Sequence, residues 1–560
     1  MMARVTHTVL DPKTAVDASG GRTPERPGRR WLVPLLVVLL LGQMAASMVT
    51  TAVRQTPTID EPVYVGTAAE YLHEHRVRHN PEHPPLGKLV IATGVALADP
   101  HVEPSVTEGQ SLLGQRLLYE SGNDPWRLML WARLPVIALT LLFGLVVLAF
   151  ARELAGPVAG LVALALYTFS PDVVAHGSLA TLDVPAAGFL LTSVWLLWRA
   201  RRRPGLFLPL AGVALGAALA TKMSTLVAIP VLLVLAGVSV WSYPAARLSG
   251  RRRALLRAAV GAAVVALVAV AVVWAAYLAV DPRLRWSPVQ YVPVVHGRRG
   301  LLVELMPFPE AYRDGMRIQF GLENHPWEGF LFGKVYTGSL WYYLPAALLV
   351  KTPLGMLALW AAGAVVVCVV PRLRPTAPYL LAPSAVLLAA AMEGARDLGT
   401  RYAVFLPMFL AVAASCVVAV RWRWGPAVTG ALVLFVAVSS LRTYPYYLPY
   451  SNEAFGGPAK TRLHLHDSNV DWGQDLGRLA DRLRERYRGE RIWLVYKGSG
   501  VPSYYGIDAA DPREGPVRAV RGLLVVSDSA VAKATGRLAE LIDSSRRIDE
   551  VGHSITIYRR

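Results

Sequence analysis

Cysteine is nearly absent: 560 residues contain only Cys368 and Cys416. That excludes a disulfide framework and a cysteine zinc site. Both fall in apolar runs, so both are expected to pack as small buried hydrophobes. Charge is also scarce, at 17% of residues against 54% hydrophobic. No dedicated metal-ligand cluster stands out, so no metal site and no other cofactor is expected. No internal repeat stands out.

What is abundant is apolar sequence in long runs, each about the length needed to cross a ~30 Å hydrocarbon core. They lie at 31–50, 128–150, 155–174, 184–199, 206–221, 223–242, 256–280, 353–370, 376–392, 402–420 and 425–441. So many in series exclude a soluble core. The chain is expected to be a polytopic α-helical membrane protein of about 11 transmembrane helices. The first run follows a basic tail but is too long for a signal peptide and lacks a small-x-small cleavage site, so it is read as an uncleaved helix.

The net charge of +18 does not point to nucleic acid. It collects in the N-terminal tail and in short arginine-rich links at Arg152, Arg199, Arg247, Arg372 and Arg421. With the N-terminus inside, those segments hold about 20 basic and about 4 acidic residues, all on one face. The odd span count then carries the C-terminus to the extracytoplasmic side of the plasma membrane. Residues 1–30 form a cytoplasmic tail, its first ~25 residues expected to be disordered. Residues 31–441 form the membrane core, with outer loops at 51–127 and 281–352. Residues 442–560 form an extracytoplasmic domain. There "RIWLVYKG", "GLLVVSD" and "HSITIYRR" read as strands, and "DWGQDLGRLADRLRER" and "SAVAKATGRLAELID" as amphipathic helices, giving a small α/β domain. The 13-residue apolar piece from Leu86 is too short to span and is expected to lie in the interface or re-enter.

The outer face gathers chemistry. Asp60 and Glu61 begin a predicted helix with Pro62 in its first turn, and Asp183 sits at the outer end of the fourth span. Helix capping is the plain alternative for each acid. His83 and Lys88 lie in "HPPLGK", stiffened by its two prolines. Lys222, Lys351 and Arg401 lie at outer span ends, where snorkelling to headgroups is the plain alternative. In the tail, Asp467, Asn469, Asp471 and Trp472 combine carboxylates with an aromatic, a set suited to a sugar or acceptor. An Asx-capped turn is the alternative. Outward carboxylates able to take a proton, beside cations able to hold a phosphate, suit glycosyl transfer from a lipid-phosphate sugar. A nucleotide-sugar donor fits poorly because the acids face outward.

"HPPLGK", the acidic pair, the Asp183 turn, "LWYYLPAALLVKTPLG" and "RYAVFLP", in that order, resemble the GT-C superfamily. More specifically they resemble its protein O-mannosyltransferase and aminoarabinose-transferase-like branch. "YPYYLPYSNEAFGGP", "HDSNVDWGQDLGRL" and "YYGIDAADP" are similar to bacterial members with an outer C-terminal domain. The resemblance implies an inverting transfer from a polyprenyl-phosphate-linked sugar, a hexose such as mannose. The acceptor would be a protein, a glycolipid or an envelope polysaccharide. It implies Asp60 as general base with Glu61 beside it, Asp183 as the second acid, and Arg401 and Lys88, with His83 near them, as donor-phosphate contacts; Lys351 and Lys222 join that set as outward cations able to hold a phosphate. His83 stands where some relatives carry lysine. The competing readings are a transporter or flippase of lipid-linked saccharide and an assembly scaffold. Charges clustered at one face, with no broken helices marking a midplane site, favour the enzyme. All the acids and cations of the implied donor site precede residue 442, so the tail is expected to be separable from that site.

Overall fold

The computed structural model describes residues 31–103, 109–243, 250–514 and 516–560. The predicted disordered tail lies outside the described residues. Every expected span coincides with an apolar helix, with ends agreeing to within about six residues. Among the described residues, six are long and apolar enough to cross a membrane: Leu32–Arg54, Pro125–Ala155, Met223–Trp241, Arg251–Val280, Arg374–Met392 and Gly425–Thr443. Two bent pairs raise the number to eight: Pro157–Thr168 with Pro171–Gly177 at 62°, and Tyr343–Lys351 with Leu354–Val369 at 119°. The other three expected spans are apolar helices that do not meet the same standard. Pro204–Leu219 and Phe405–Ala419 are short, and Asp183–Ala200 carries Asp183 and Arg199 at its ends.

The helices that build the outer end are α1 (Leu32–Arg54), α2 (Glu61–His73), α3 (Pro85–Ala98), α4 (Gln110–Tyr119) and α5 (Pro125–Ala155). Proline opens α3 and α5, where a missing N–H costs nothing and φ is already helical. Asp124 caps α5 by accepting from the Trp126 N–H at 2.9 Å. Two glycines let these helices touch. A Cβ on Gly94 of α3 would meet the Trp131 carbonyl oxygen of α5 at 1.9 Å, and one on Gly114 of α4 would meet the Pro62 oxygen of α2 at 2.1 Å. Loop 51–127 is thus a packed helical layer, with Tyr64, Val65, Ile91, Val95 and Leu118 in its core.

The tail carries a five-stranded sheet of order β4-β3-β5-β7-β6. Its strands are β3 (Ile492–Val495), β4 (Ala509–Ala510), β5 (Leu523–Ser527), β6 (Arg546–Val551) and β7 (Ile555–Arg559); a separate hairpin joins β1 (Glu328–Leu331) and β2 (Lys334–Thr337). β3 runs parallel to β5 and β4, while β7 is antiparallel to β5 and β6. Side chains alternate between the faces. Leu523 and Val525 pack on helix Leu476–Arg486, and Leu524 and Val526 pack on helix Gly536–Asp543. The predicted helix "SAVAKATGRLAELID" is two, Asp528–Ala532 and Gly536–Asp543. Cys416 is buried as expected; Cys368 is exposed, because its side of a lipid-facing helix has no neighbour.

The tail packs against the first outer loop. The Thr56 and Ile59 N–H groups donate to Gln474 and Trp472 oxygens, each at 3.0 Å. Ser499 Oγ donates to the Thr58 oxygen at 2.9 Å. Trp472 is buried in the main membrane-side core. The strand-like approach to Asp60 is therefore held by tail backbone, and the "DWGQ" segment forms a wall of the site.

Candidate functional site

A cavity of about 1670 Å³ opens between the helices and the tail. One end is apolar, lined by Leu190, Leu215, Leu219, Ile229, Val270 and Leu387. The other end is polar and includes Asp60, Asp183, Lys222, Arg401, Asp467 and Trp472. These two kinds of wall suit an amphiphile with a long apolar chain and a charged head.

Asp60 occupies the N-cap position of α2, but its side chain makes no capping bond. It turns into the cavity, where Oδ2 accepts from Arg401 Nη1 at 2.6 Å, and it stays 28% exposed. Arg401 is placed by the turn at Gly399. That residue has φ of +150° and no room for a Cβ, which would meet Ser468 Oγ at 2.1 Å. The guanidinium lies 4.4 Å from the Trp472 ring and 5.1 Å from the Tyr402 ring. Burial works against its charge. Tyr402, Asp60, Asp183 and Asp467 outweigh that and hold its pKa well above the ordinary value. Asp183 opens the helix Asp183–Ala200 and forms an ion pair with Lys222. Lys222 follows a helix end, and its ammonium lies 5.5 Å from the Tyr402 ring. Tyr402 therefore stands between the two ion pairs.

His83 also lines the cavity, edge-on to the Tyr64 ring at 5.7 Å. Burial, with Lys222 and Lys88 nearby, pushes its pKa well down. It is therefore a neutral imidazole, with its buried Nδ1 unpaired, and not a cation. Asp467, in left-handed backbone with φ of +56°, pairs with Lys497. Burial alone would raise its carboxyl, but Lys497, His466 and Arg401 outweigh burial and lower it.

The PMT family model, described as dolichyl-phosphate-mannose-protein mannosyltransferase, matches residues 37–281. The match covers less than half of the chain. The matched residues include Asp60, Glu61, His83, Lys88, Asp183 and Lys222; Arg401, Lys351 and the tail lie beyond them. No curated protein matches the chain. Among solved structures, it is similar to ArnT from Cupriavidus metallidurans bound to undecaprenyl phosphate. That match has 16% identity over 95% of this chain and 98% of that one, with a TM-score of 0.47. It is also similar to the S. cerevisiae Pmt1-Pmt2 complex bound to the sugar donor, at 17% identity, 45% and 33% coverage and TM-score 0.35. A third is the archaeal oligosaccharyltransferase AglB from Archaeoglobus fulgidus in complex with an inhibitory peptide and a dolichol-phosphate, at 12%, 82% and 59%, and 0.43.

Five residues expected at the site do not line the cavity. Glu61 is fully buried on the other side of α2, where both oxygens take Arg133 nitrogens at 2.7 Å. It also accepts from the Thr58 and Ala180 N–H groups at 2.9 and 2.8 Å. Its lone pairs are committed, which leaves none for a substrate proton. Burial would raise its carboxyl, but Arg133 and these N–H groups outweigh burial and lower it. Lys88 donates to the Asn80 and His83 oxygens, both at 2.8 Å, and so ties down the His-Pro-Pro loop. Lys351 donates to the Leu448 oxygen at 2.5 Å and lies 3.5 Å from Asp172. Asn469 joins the Thr400 N–H at 3.0 Å to the Tyr343 hydroxyl at 2.9 Å. Asp471 accepts from the Gly473 N–H at 3.3 Å, and burial raises its carboxyl to about 7. Sequence reasoning missed Tyr64, Tyr402, Arg396, Lys497 and Lys533, which line the cavity. Tyr402 could have been found as the neighbour of Arg401 in "RYAVFLP". Among the described residues, no cluster of metal-ligand type forms.

Proposed function

We propose that the chain transfers a sugar, a hexose such as mannose, from a polyprenyl-phosphate donor to an acceptor hydroxyl on the extracytoplasmic face. One observation carries this reading: Asp60 leaves its capping position unused and faces the cavity, hydrogen-bonded to Arg401. The polyprenyl chain lies along the apolar end. Its phosphate meets Arg401 and Lys222, fixed donors aimed at the charge that grows as the sugar–phosphate bond breaks. The acceptor oxygen attacks the anomeric carbon from the face opposite the phosphate. The carbon–oxygen bond to phosphate breaks, with its electron pair passing to the phosphate. The acceptor proton passes to Asp60, and the anomeric configuration inverts. When the phosphate engages Arg401, the guanidinium shares its positive charge with it, and Asp60 becomes a better proton acceptor.

Asp183 acts here by holding Lys222 toward the phosphate. Glu61, Lys88 and Lys351 are assigned to anchoring, for the bonds they make above. The membrane core is taken as residues 31–441 and the outer domain as 442–560, with eleven helices crossing the bilayer and the C-terminus outside. The PMT description of residues 37–281 supports mannose and a protein acceptor; a glycolipid or envelope polysaccharide would use the same hydroxyl chemistry. Proteoliposomes with a labelled polyprenyl-phosphate mannose test the reading. The expected result is label leaving the lipid in an acceptor-dependent reaction. Label that crosses the bilayer still attached to its lipid would instead establish a transporter.

A further inference from the structure

The cavity has a third wall, which the donor reading leaves unused. The outer sheet presents the carboxyl ends of its parallel strands β3 and β5 to the membrane core. Lys497 follows β3 and Lys533 follows β5 through the short helix Asp528–Ala532. In open α/β sheets the crevice beyond the carboxyl ends of the strands is where ligands bind. Both lysines line the same cavity as Asp60. Lys497 is balanced by Asp467. Lys533 has, among the described residues, no carboxylate at ion-pair distance. Its Nζ donates to the Glu328 main-chain oxygen at 2.8 Å, and burial and the nearby Lys497 both press its pKa down. Asp467 and Glu328 act on Lys533 only from beyond ion-pair distance, so its ammonium holds no carboxylate in direct contact among the described residues. The apolar residues that suit a lipid chain come from the membrane helices, not from this wall. Trp327 lies on the same side of the cavity, one residue before Glu328, with a ring on which a sugar can rest.

We propose that Lys533 and Lys497 form an acceptor subsite that selects a saccharide bearing an anionic group, phosphate or carboxylate, close to the hydroxyl to be glycosylated. The proposal rests on the glycosyltransferase reading above, with the donor phosphate placed at Arg401. The anion meets Lys533, Lys497 remains paired with Asp467, and the neighbouring hydroxyl points toward Asp60. Neutral acceptors would leave Lys533 with only the Glu328 main-chain oxygen, so the site discriminates against them.

The test is binding to the full-length protein in detergent, with polyprenyl phosphate saturating the donor site. The probes are mannose 6-phosphate, glucuronic acid and mannose. The two anionic sugars should bind and mannose should not. Lys533→Ala should weaken the anionic sugars by about tenfold or more, as expected for loss of a charge-assisted contact. Lys533→Arg should restore most of that affinity, and Lys533→Glu should abolish it. The polyprenyl phosphate dissociation constant should stay unchanged in all three. Lys533 is the cleaner position, because removing Lys497 strands the Asp467 carboxylate. Equal binding of mannose, no binding of either anionic sugar, or an unchanged Lys533→Ala would overturn the proposal. Failure of polyprenyl phosphate to bind the wild-type protein would instead overturn the donor reading. Binding of only one anionic sugar would support the subsite and fix its anion.

Discussion

Replacing Glu61 by Gln changes one oxygen for an NH2 group, yet the structure predicts a large loss of stability. The Glu61 carboxylate and the Arg133 guanidinium are both almost wholly removed from solvent, at 0% and 1% exposure, and meet through two parallel bonds. Arg133 also donates to the Ala52, Gln55 and Thr56 oxygens, so it ties the end of α1 to the start of α2. Removing the negative partner leaves a positive charge buried and uncompensated, which costs about 3–5 kcal/mol. Denaturant titration of the purified protein should show this as an earlier midpoint. Pairing Glu61→Gln with Arg133→Met should recover much of the loss, since no buried charge then remains. The pH dependence has a defined sign. The folded carboxyl lies below its ordinary 4.5, so its contribution is full above about pH 4.5 and is lost as acid carries the pH down through the folded value. A Glu61→Gln protein of unchanged stability that had nevertheless lost turnover would refute this account and return Glu61 to the chemistry.

Arg401→Ala should weaken polyprenyl phosphate binding by about 1.5–3 kcal/mol, the usual loss for a charge-assisted contact; a titration at fixed salt reads it, and a silent substitution would mean that Arg401 serves only Asp60. Asp471 titrates in the opposite sense to Glu61. Its folded carboxyl is raised from 3.8 to about 7, so between those values the unfolded chain loses a proton that the folded chain keeps. Stability should therefore fall as pH rises across that window. Asp471→Asn, neutral throughout, should remove that slope and be the more stable form above pH 7 in thermal unfolding scans.

Hydrophobic length located the apolar helices, because that signal is set by the solvent around the chain. Alternation located β3, β5 and β7. The edge strand β6 was missed because "RRIDEV" alternates poorly and is half exposed. Asp60, Asp183, Lys222 and Arg401 were legible as outward charges at span ends, and the structure gathers them around Tyr402. Adjacency misled at Glu61. Consecutive residues at a helix start point about 100° apart, so the neighbour of a cavity-facing acid faces the core. Lys88 and Lys351 could not be told from phosphate ligands in sequence, since the main-chain oxygens that hold both, and the Asp172 carboxylate beside Lys351, are brought to them only by the fold. The packing of the tail against the approach to Asp60 was hidden for the same reason. It depends on backbone bonds between residues 56–59 and 472–474, more than 400 positions apart, and no periodicity reports such a pairing.

The central claim is that Asp60 removes the acceptor proton, and Asp60→Asn tests it most directly. The amide keeps the side-chain size and can still accept from Arg401, so fold and donor affinity should hold. It cannot serve as a general base, and turnover of a labelled polyprenyl-phosphate mannose in proteoliposomes should fall by about 10²–10⁴-fold. Turnover above about a tenth of wild type, far short of the loss expected for a missing general base, would contradict the claim and direct the search for the base to Asp183.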